Sequence, residues 1–343
     1  MKKIGYCLIG CGRISKSHLP AIASLKDMID FVATVDTDRS KAEEAAKNFG
    51  ARKVYTSIEE ALLDPEIEAV DICLPHHLHE PVAVQAANHK KHILIEKPLA
   101  RNLEEADRVI ESAEKNGVKL MVGQSRRFTN AVFESKKIEE RGEIGEVKNI
   151  VATMFGYMPE PATPWWSSSE LSGGFLMSLW APHILDYILW IYGEKPSSVY
   201  AQMHNVRPEK WDGEDEVNII LNFSNRAMAN IYMSWNVKQE TDQDSSRMWS
   251  SKSGRYERIV VGNKGALILE DDTELYLNGK KIVGGPQEPD NFHLEIKEFI
   301  SSILEDREPL TSGKDNRKVI EVMDACRISS KEHRVVYLDE RSE

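Results

Sequence analysis

The chemically suggestive residues nearest the start of this chain are two glycines, a serine and an acid. The turn at residues 10–15 (GCGRIS) has the spacing of a phosphate-binding loop, and Asp36 follows at the separation that such loops require. Gly10 permits the tight turn, Gly12 lets the backbone approach a pyrophosphate, and Ser15 replaces a third glycine with another small residue. Asp36 can accept hydrogen bonds from the hydroxyls of an adenosine ribose. The pattern predicts dinucleotide binding.

A strand, a helix and a second strand are needed to position these groups. Residues 4–9 form a mostly apolar run of strand length, helix-compatible sequence continues to Leu25, and residues 31–35 form a second apolar run. In this order the N-terminus of the helix adds N–H donors and a positive dipole to the loop. Asp36 and Asp38 favour NAD, since both acids would repel a 2′-phosphate, whereas Arg39 argues for NADP, which stays open.

Length and charge exclude several classes of protein. A chain of 343 residues is long enough for two domains, and its 41% hydrophobic and 29% charged residues fit a globular protein. The net charge of −11, with no block of Lys or Arg, argues against a nucleic-acid partner. The most apolar segment, residues 175–192, is interrupted by polar residues, so it predicts no membrane span.

The cysteines indicate a reducing compartment. They are scattered and show no C-x-x-C or Cys/His ligand spacing; they are Cys7, Cys11, Cys73 and Cys326. We therefore expect a cytoplasmic chain without a structural metal. The first three residues lead directly into a strand, without the features of a secretory segment.

Strands and helices alternate over residues 1–122. Beyond Asp36, helices are predicted at 40–49, 79–88 and 103–115, another after the capping box at Ser57, and strands at 54–55, 69–74, 92–95 and 118–122. This alternation predicts an α/β domain with a doubly wound parallel sheet. Ligands of such sheets bind beyond the carboxyl ends of the strands. Loops 10–15, 36–39, 75–79 and 96–98 should therefore share one edge.

The pattern changes over residues 123–343. A helix at 130–141 precedes alternating runs at 147–154, 198–204, 217–223, 227–235, 258–261, 265–270 and 273–277, the last followed by an Asn-Gly turn. Two helices, 292–305 and 316–331, close the chain. We expect an α+β domain with a large, open, mostly antiparallel sheet, and an exposed loop at 236–257.

Motifs along nearly the whole chain resemble those of the Gfo/Idh/MocA oxidoreductases, a group that includes glucose–fructose oxidoreductase and inositol dehydrogenase. The matching residues are GCGRI at 10–14 with His18, Asp36, Leu74-Pro75 with His79, Glu96-Lys97-Pro98, Arg126-Arg127-Phe128, GEIG at 142–145, and Ser172-Gly173-Gly174 leading to His183 and Asp186. The Glu-Lys-Pro motif is the most specific, because it falls on the required edge of the sheet.

This resemblance implies an N-terminal Rossmann domain and a C-terminal domain for substrate binding and oligomerisation. Members transfer hydride between a nicotinamide cofactor and a hydroxyl-bearing carbon, usually of a sugar, sugar derivative or cyclitol. The residues expected to contact the cofactor are Gly10, Gly12, Arg13, Ile14, Asp36, Arg39, Leu74, Pro75, His79, Glu96 and Lys97. The oligomer is expected to be a homo-dimer or homo-tetramer.

Lys97 and His183 are the expected catalytic residues. Oxidation of an alcohol requires loss of the hydroxyl proton, and Lys97 can hold the oxygen by hydrogen bond and charge. The family implies that His183 lies beside that hydroxyl as acid or base, near Asp186 on the same helix. Relatives commonly carry an aspartate at the position of Leu179, so the route of the proton stays open.

Other positions allow two interpretations each. Arg126 and Arg127 could contact the substrate or form structural ion pairs. Trp166, like its neighbour Trp165, could stack on a sugar face or pack in a core or interface. The histidines at 76, 77 and 79 resemble a metal cluster by composition, but position 79 fits the family without metal, and we expect none.

Two other functions remain open. The absent acid at Leu179 would suit a non-catalytic nucleotide-binding sensor or regulator, which would bind NAD without turnover. A glycosidase that uses bound NAD as a redox aid would hydrolyse its substrate without net NADH. The sequence names no substrate, because specificity depends on loops at 157–172 and 236–257.

Overall fold

The computed structural model describes residues 2–238 and 255–338. The chain divides into two compact units. The first contains Met1–Phe128 and Glu288–Arg317, and the second contains Thr129–Gln287 and Lys318–Glu343. Residues 288–317, which the sequence analysis assigned to the 123–343 domain, thus belong to the first unit. Helical periodicity at 292–305 identifies an apolar face but not the surface that this face covers.

The first unit is built on a six-stranded sheet. Its strands are β1 (Ile4–Ile9), β2 (Ile29–Val35), β3 (Lys53–Tyr55), β4 (Ala69–Ile72), β5 (His92–Glu96) and β6 (Leu120–Gly123). They lie in the order β3-β2-β1-β4-β5-β6, and all neighbours are parallel. The order reverses between β1 and β4, which is the switch point where doubly wound sheets bind ligands. The predicted doubly wound parallel sheet is confirmed.

Helices cover this sheet. They are α1 (Ser15–Ser24), α2 (Arg39–Phe49), α3 (Ile58–Leu62), α4 (His79–Asn88) and α5 (Leu103–Asn116). Sequence signals set several of their ends: Asp38 caps α2, Ser57 caps α3 and Asn102 caps α5, each accepting a backbone N–H from the first turn. Gly117 ends α5 in the left-handed conformation.

A helix from late in the chain completes the first unit. α10 (Asn291–Leu304) packs against α1, and its apolar residues join the core around β1. Tyr6 on β1 meets Phe299 on α10 edge to face, with 6.4 Å between ring centroids. Further along the chain, the side chain of Thr311 donates to the carbonyl oxygen of Val122 at 2.7 Å.

The second unit is built on a nine-stranded sheet. Its strands are β7 (Val147–Phe155), β8 (Ser198–His204), β9 (Glu216–Asn222), β10 (Met228–Ser234), β11 (Arg255–Gly262), β12 (Ala266–Glu270), β13 (Glu274–Leu277), β14 (Lys280–Val283) and β15 (Val336–Tyr337). The order is β14-β13-β12-β11-β7-β10-β9-β8-β15, and only β7 and β10 pair in parallel. The predicted large, mostly antiparallel sheet is confirmed.

Some details differ from the prediction. The Asn278-Gly279 turn is present, but the short strand β14 that follows it was not predicted, because exposed lysines dilute its apolar pattern. β15, two residues long, was also missed. β11 begins at Arg255, inside the predicted 236–257 loop, and residues 239–254 of that loop lie outside the described residues.

The remaining helices are α6 (Asn130–Glu140), α7 (Ser169–Ser172), α8 (Leu176–Leu179), α9 (Ala181–Tyr192) and α11 (Gly313–Glu332). No helix in the described ranges is by itself long and apolar enough to cross a membrane. Ser169–Leu179 and Ala181–Tyr192, bent by 49° at their junction, reach that length and composition only as a pair. Buried core helices also meet this criterion, and most residues of α9 are buried.

Candidate cofactor and catalytic site

The glycine turn after β1 has two glycines with different requirements. Gly10 has φ +96°, and a Cβ there would lie 2.5 Å from the carbonyl oxygen of Cys73. Glycine is therefore required at this position both by the backbone conformation and by the close approach of Cys73, the residue that follows β4. Gly12 is exposed, and apart from its two chain neighbours no residue has a heavy atom within 4 Å of the position that its Cβ would take. That open space above the backbone is what a pyrophosphate needs.

The first turn of α1 follows directly. Ser15 is buried, and its hydroxyl donates to the carbonyl oxygen of Gly12 at 2.7 Å, which ties the turn to the helix. Ile14 is partly buried and Arg13 is exposed. The first N–H groups of the helix, which lack partners within the helix itself, lie at this turn.

Asp36 is held by the backbone on both carboxylate oxygens. One oxygen accepts the N–H of Cys11 at 2.9 Å, and the other accepts the N–H of Asp38 at 2.8 Å. This fixes the acid at the end of β2 beside the glycine turn. Arg39 pairs with Glu43 one turn later at 2.8 Å on the exposed face of α2. Asp36 is fixed beside the turn, and Arg39 pairs with Glu43. This arrangement fits a ribose with free hydroxyls, as in NAD, better than one that carries a 2′-phosphate.

His79 ties two loops of the edge together. Its ring nitrogens lie 2.8 Å from the carbonyl oxygen of Pro98 and 2.9 Å from that of Leu74, and the side chain is fully buried. Burial lowers the pKa of this imidazole. His79 thus holds the loop after β4, including Leu74 and Pro75, against the loop after β5.

Lys97 directly follows β5 on the same edge. Burial lowers the pKa of Lys97 to about 8; the charge of Glu96 opposes this shift, and Arg126 and Arg13 add to it. Lys97 is half-buried, at the end of a strand where ligands of such sheets bind. An amine with this pKa is divided between its two protonation states near neutral pH, as acid–base catalysis requires.

The side chain of Glu96 turns inward. One carboxylate oxygen lies 3.0 Å from Nε2 of His18, and the other accepts the backbone N–H of Lys97 at 3.1 Å. The Nδ1 of His18 lies 2.8 Å from the carboxylate of Asp71 on β4. His18 and Asp71 are fully buried, and Glu96 is nearly so. This cluster was not predicted from the sequence, although a histidine and an acid on otherwise apolar elements are a visible signal.

The two arginines after β6 differ. Arg127 is buried, pairs with Asp315 at 2.7 Å and donates to the carbonyl oxygen of Leu310 at 3.2 Å. These contacts anchor the returning segment of the first unit. Arg126 is the more accessible of the two, and its charge acts on Lys97.

In the second unit, His183 lies in the first turn of α9, where Pro182 suits the start of a helix. Its ring packs edge to face against Trp180, 5.8 Å between centroids, and the side chain is partly exposed. Asp186, one turn later, is buried. Trp165 and Trp166 are partly exposed and stand perpendicular to each other at 6.0 Å.

The segment leading to α9 depends on an acid that the sequence analysis did not single out. The carboxylate of Glu214 accepts the N–H groups of Phe175 and Met177 at 2.9 and 2.8 Å. Burial raises the pKa of Glu214, although these two donors oppose the shift. Gly174, at φ +111°, leaves room for this carboxylate. Glu214 thus fixes the start of α8, which ends at Leu179.

Within the described ranges, one group of side chains is close enough to share a metal ion. It consists of His18, Asp71 and Cys73, whose ligand atoms lie within 4.8 Å of one another. Both ring nitrogens of His18 are engaged with carboxylates, so the group is an ion-pair cluster. The adjacent histidines at 76, 77 and 79 do not form such a group in this part of the chain.

Protein-family comparisons match both halves of the chain. Residues 4–124 match the family described as "Oxidoreductase family, NAD-binding Rossmann fold", and residues 134–268 match the "GFO/IDH/MocA C-terminal domain". The chain is 28% identical to myo-inositol 2-dehydrogenase of Thermotoga maritima, over 97% of this chain and 98% of that protein. It is 32% identical to the uncharacterized oxidoreductase YrbE of Bacillus subtilis, over 67% of each.

Solved structures share the fold. The structure titled levoglucosan dehydrogenase in complex with NADH and levoglucosan aligns with a TM-score of 0.88, at 23% identity, over 99% of this chain and 100% of that chain. The levoglucosan dehydrogenase of Pseudarthrobacter phenanthrenivorans is also similar in sequence, 28% identical over 67% of each chain.

Proposed function

This chain belongs to the Gfo/Idh/MocA family of NAD-binding oxidoreductases, and from that premise we propose that its substrate is a sugar, sugar derivative or cyclitol, oxidised or reduced at a hydroxyl-bearing carbon. The enzyme is a dehydrogenase or reductase that uses NAD. Relatives named for myo-inositol and levoglucosan support this substrate class.

The residues of the cofactor edge fit NAD. The space above Gly12 accommodates a pyrophosphate, and the carboxylate of Asp36 stands beside the turn for the ribose hydroxyls. Arg13 and Ile14 line the start of α1, and Leu74 and Pro75 line the neighbouring loop. Bound there, the nicotinamide accepts or returns a hydride. We propose that Arg39 contacts the adenosine end of the cofactor.

The observation that carries the proposal is the placement and acidity of Lys97. It follows β5 on the cofactor edge, and its pKa of about 8 lets it hold or release a proton near neutral pH. We propose that Lys97 hydrogen-bonds the substrate oxygen, stabilising negative charge as the hydroxyl proton leaves. In the opposite direction Lys97 returns the proton.

We propose that His183 is a second catalytic residue, acting as acid or base at a substrate hydroxyl, with Asp186 orienting the substrate or the ring. Its partly exposed imidazole at the start of α9 supports this role. Arg126 is our choice for contacting substrate oxygens, since Arg127 already pairs with Asp315. Trp166 is proposed to stack on a sugar face.

Turnover of a substrate panel tests this function. Polyols, sugars and sugar acids would be supplied with NAD, and NADH formation followed, after calorimetry with NADH and NADPH establishes which cofactor binds. Lys97→Met should lower kcat/KM by about 10²–10⁴-fold while NADH binding persists. Lys115→Met, an exposed lysine at the end of α5, is the matched control and should leave kcat/KM unchanged.

Three results would overturn the proposal. NADH binding without turnover of any substrate would point to a sensor, and product formation without net NADH would point to a hydrolase. Turnover that survives Lys97→Met would remove the proposed mechanism. For His183→Gln we expect a loss of similar size, with His204→Gln, at the exposed end of β8, as control.

We propose a cytoplasmic homo-oligomer. The four cysteines are free thiols, as in a reducing compartment. The nine-stranded sheet has accessible apolar residues, among them Ile220 on β9 and Val261 on β11. An accessible apolar sheet face favours association between copies.

A further inference from the structure

A buried histidine sits between two acids at the cofactor edge. His18, on α1, places its two ring nitrogens 2.8 Å from Asp71 and 3.0 Å from Glu96, and neither it nor Asp71 is accessible to solvent. The ring also packs against Phe292 of α10, with 5.1 Å between centroids. The imidazole therefore connects α1, β4, β5 and α10.

The position of the ring between two acids favours an imidazolium. A neutral imidazole carries one N–H and could satisfy only one of two carboxylates, whereas the charged ring donates from both nitrogens. Burial alone lowers the pKa of His18, but the charge and the hydrogen bond of Asp71 outweigh burial, so the pKa is raised well above its usual value. A cation between two anions is the arrangement in which these buried charges are compensated.

Further titratable groups face the cluster from neighbouring elements. Tyr6 approaches Asp71 from β1, Cys73 follows β4, and Glu295 faces it from α10. Burial, reinforced by the charge of Glu96, raises the pKa of Glu295 well above its usual value, which favours the uncharged carboxyl. Burial likewise raises the pKa of Tyr6 and of Cys73, so both stay neutral. His18 is the cation among these groups.

The cluster reaches Lys97 through Glu96. The oxygen of Glu96 that does not face His18 accepts the backbone N–H of Lys97 at 3.1 Å. The same carboxylate supplies the negative charge that opposes the fall in the pKa of Lys97. A Cβ on Gly123 would lie 3.3 Å from Glu96, which is a tight contact, so the glycine on the neighbouring strand leaves space for the Glu96 side chain.

We propose that His18 is a positioning residue for Lys97: its imidazolium fixes Glu96 as an anion, in the orientation that both anchors the Lys97 backbone and presents negative charge to the Lys97 ammonium. The inference rests on the proposed catalytic role of Lys97. It assigns His18 no contact with cofactor or substrate. His18 acts entirely through Glu96, with Asp71 holding the opposite side of the ring.

Kinetics of single and double variants test this route. His18→Gln retains a polar side chain but no charge, and it can donate to only one of the two acids. We expect kcat to fall about 10–100-fold, the size associated with loss of positioning, while KM for NAD changes less than about threefold. For Glu96→Gln we expect kcat to fall by a similar factor. The midpoint of the pH–kcat/KM profile should also shift downward by about one pH unit, because the negative charge that stabilises the Lys97 ammonium is removed.

Non-additivity separates positioning from a general structural role. If His18 acts through Glu96, the double variant His18→Gln/Glu96→Gln should be no slower than Glu96→Gln alone. Losses that multiply would overturn the proposal. His92→Gln is the matched control, because His92 lies at the opposite end of β5 and accepts the N–H of Lys119. It should leave kcat and the pH profile unchanged.

Two measurements do not depend on turnover. In ¹⁵N-labelled protein, the histidine signal that His18→Gln removes should show both nitrogens protonated at pH 7, and a neutral ring at that pH would overturn the proposal. Trace acetylation of Lys97 with acetic anhydride across pH reports its pKa directly, which should fall in Glu96→Gln. Should His18→Gln fail to fold, Glu96→Gln and the labelled wild type still decide the matter.

These measurements distinguish the two proposals. Turnover that survives Lys97→Met, together with a shifted Lys97 pKa in Glu96→Gln, would defeat the proposed mechanism and leave the coupling intact. Turnover lost in Lys97→Met, with the Lys97 pKa unchanged in Glu96→Gln, would defeat the coupling alone.

Discussion

In the six-stranded sheet, β1 and β4 are buried along their whole length, whereas in the nine-stranded sheet β9 and β12 alternate between buried and accessible residues. The first pattern is that of a parallel sheet with helices on both faces. The second is that of a sheet with one face in a core and one face left accessible.

Buried charge is placed differently in the two sheets. In the first unit it lies near the carboxyl ends of β4 and β5, where Asp71 and Glu96 hold His18, and Glu96 also accepts the backbone N–H of Lys97. In the second unit Arg258, in the middle of β11, pairs with Asp272 inside the core, between the rings of Tyr187 and Tyr256. The first arrangement contacts the backbone of Lys97 through Glu96, and the second pairs an arginine with an acid inside the core.

The largest effect on stability is expected from the buried ion pair of Arg258 and Asp272. Asp272→Asn removes the acid but keeps a residue that tolerates φ +60°, so Arg258 remains in the core with a neutral partner. We expect unfolding free energy to fall on the order of 3 kcal/mol, measured by urea titration. Glu257→Ala, which breaks an ion pair with the exposed Arg255 on the same strand, should cost less than about 1 kcal/mol. Equal losses would contradict the comparison.

The next effect contrasts the two glycines of the cofactor turn. Gly10→Ala should destabilise the protein by roughly 2 kcal/mol, because φ +96° and the carbonyl of Cys73 both oppose a Cβ. Gly12→Ala meets no neighbour and should leave the melting temperature unchanged. Its cost should appear in calorimetry as weaker NADH binding, since the methyl group occupies the pyrophosphate space. Melting temperatures that fall equally would contradict this assignment.

A smaller effect, dependent on pH, is expected at Glu295. A carboxyl whose folded-state pKa is raised keeps its proton in the native state, so stability falls as pH rises from the unfolded pKa towards the folded one. The raised pKa of His18 acts in the same direction, at pH values above its unfolded pKa. Glu295→Gln removes the loss of stability with rising pH that is due to Glu295 and leaves the loss that is due to His18.

The melting temperature of Glu295→Gln should therefore match that of the wild type near pH 5 and exceed it by about 2 °C at pH 8. Glu305→Gln, at the exposed end of α10, is the control and should show no such difference between the two pH values. A melting temperature below the wild type at pH 8 would show that Glu295 is ionised and stabilising.

The smallest effect on folding is expected on the accessible sheet face. Ile220→Lys on β9 should change unfolding free energy by less than about 0.5 kcal/mol, because the side chain is 41% exposed. If copies of the chain associate through this face, sedimentation velocity should show a smaller species in the variant. An unchanged sedimentation coefficient would exclude this face as the interface.

The parts of the fold that depend on local signals were predictable. The glycine turn, the acid after β2 and the capped helices each follow from residues a few positions apart, and the structure confirms them. The sheet class followed from periodicity. The grouping of the loops after β1, β2, β4 and β5 at one edge was predictable because parallel strands bring their carboxyl ends to one side, and the roles of the residues in those loops stay predictions.

The parts that depend on distant contacts were not predictable. Glu295 lies on the buried apolar face of α10, and the sequence of that helix does not indicate that Glu96 and His18 are its neighbours. The resemblance implied that Glu96 contacts the cofactor, which stays a prediction, and no local pattern indicated that its carboxylate faces His18 and the Lys97 backbone. Polar groups buried by tertiary contact leave no periodic trace.

The return of the chain through α10 affects the order in which the protein is built. A ribosome that has made Met1–Phe128 has made all six strands of the first sheet, but Ile296, Phe299 and Ile300, which complete the core around Tyr6, have yet to be synthesised. That apolar surface stays uncovered while the second unit is translated, a condition that favours chaperone binding. The nucleotide-binding unit is therefore not an exchangeable cassette: a graft of its first 128 residues must also carry Glu288–Arg317.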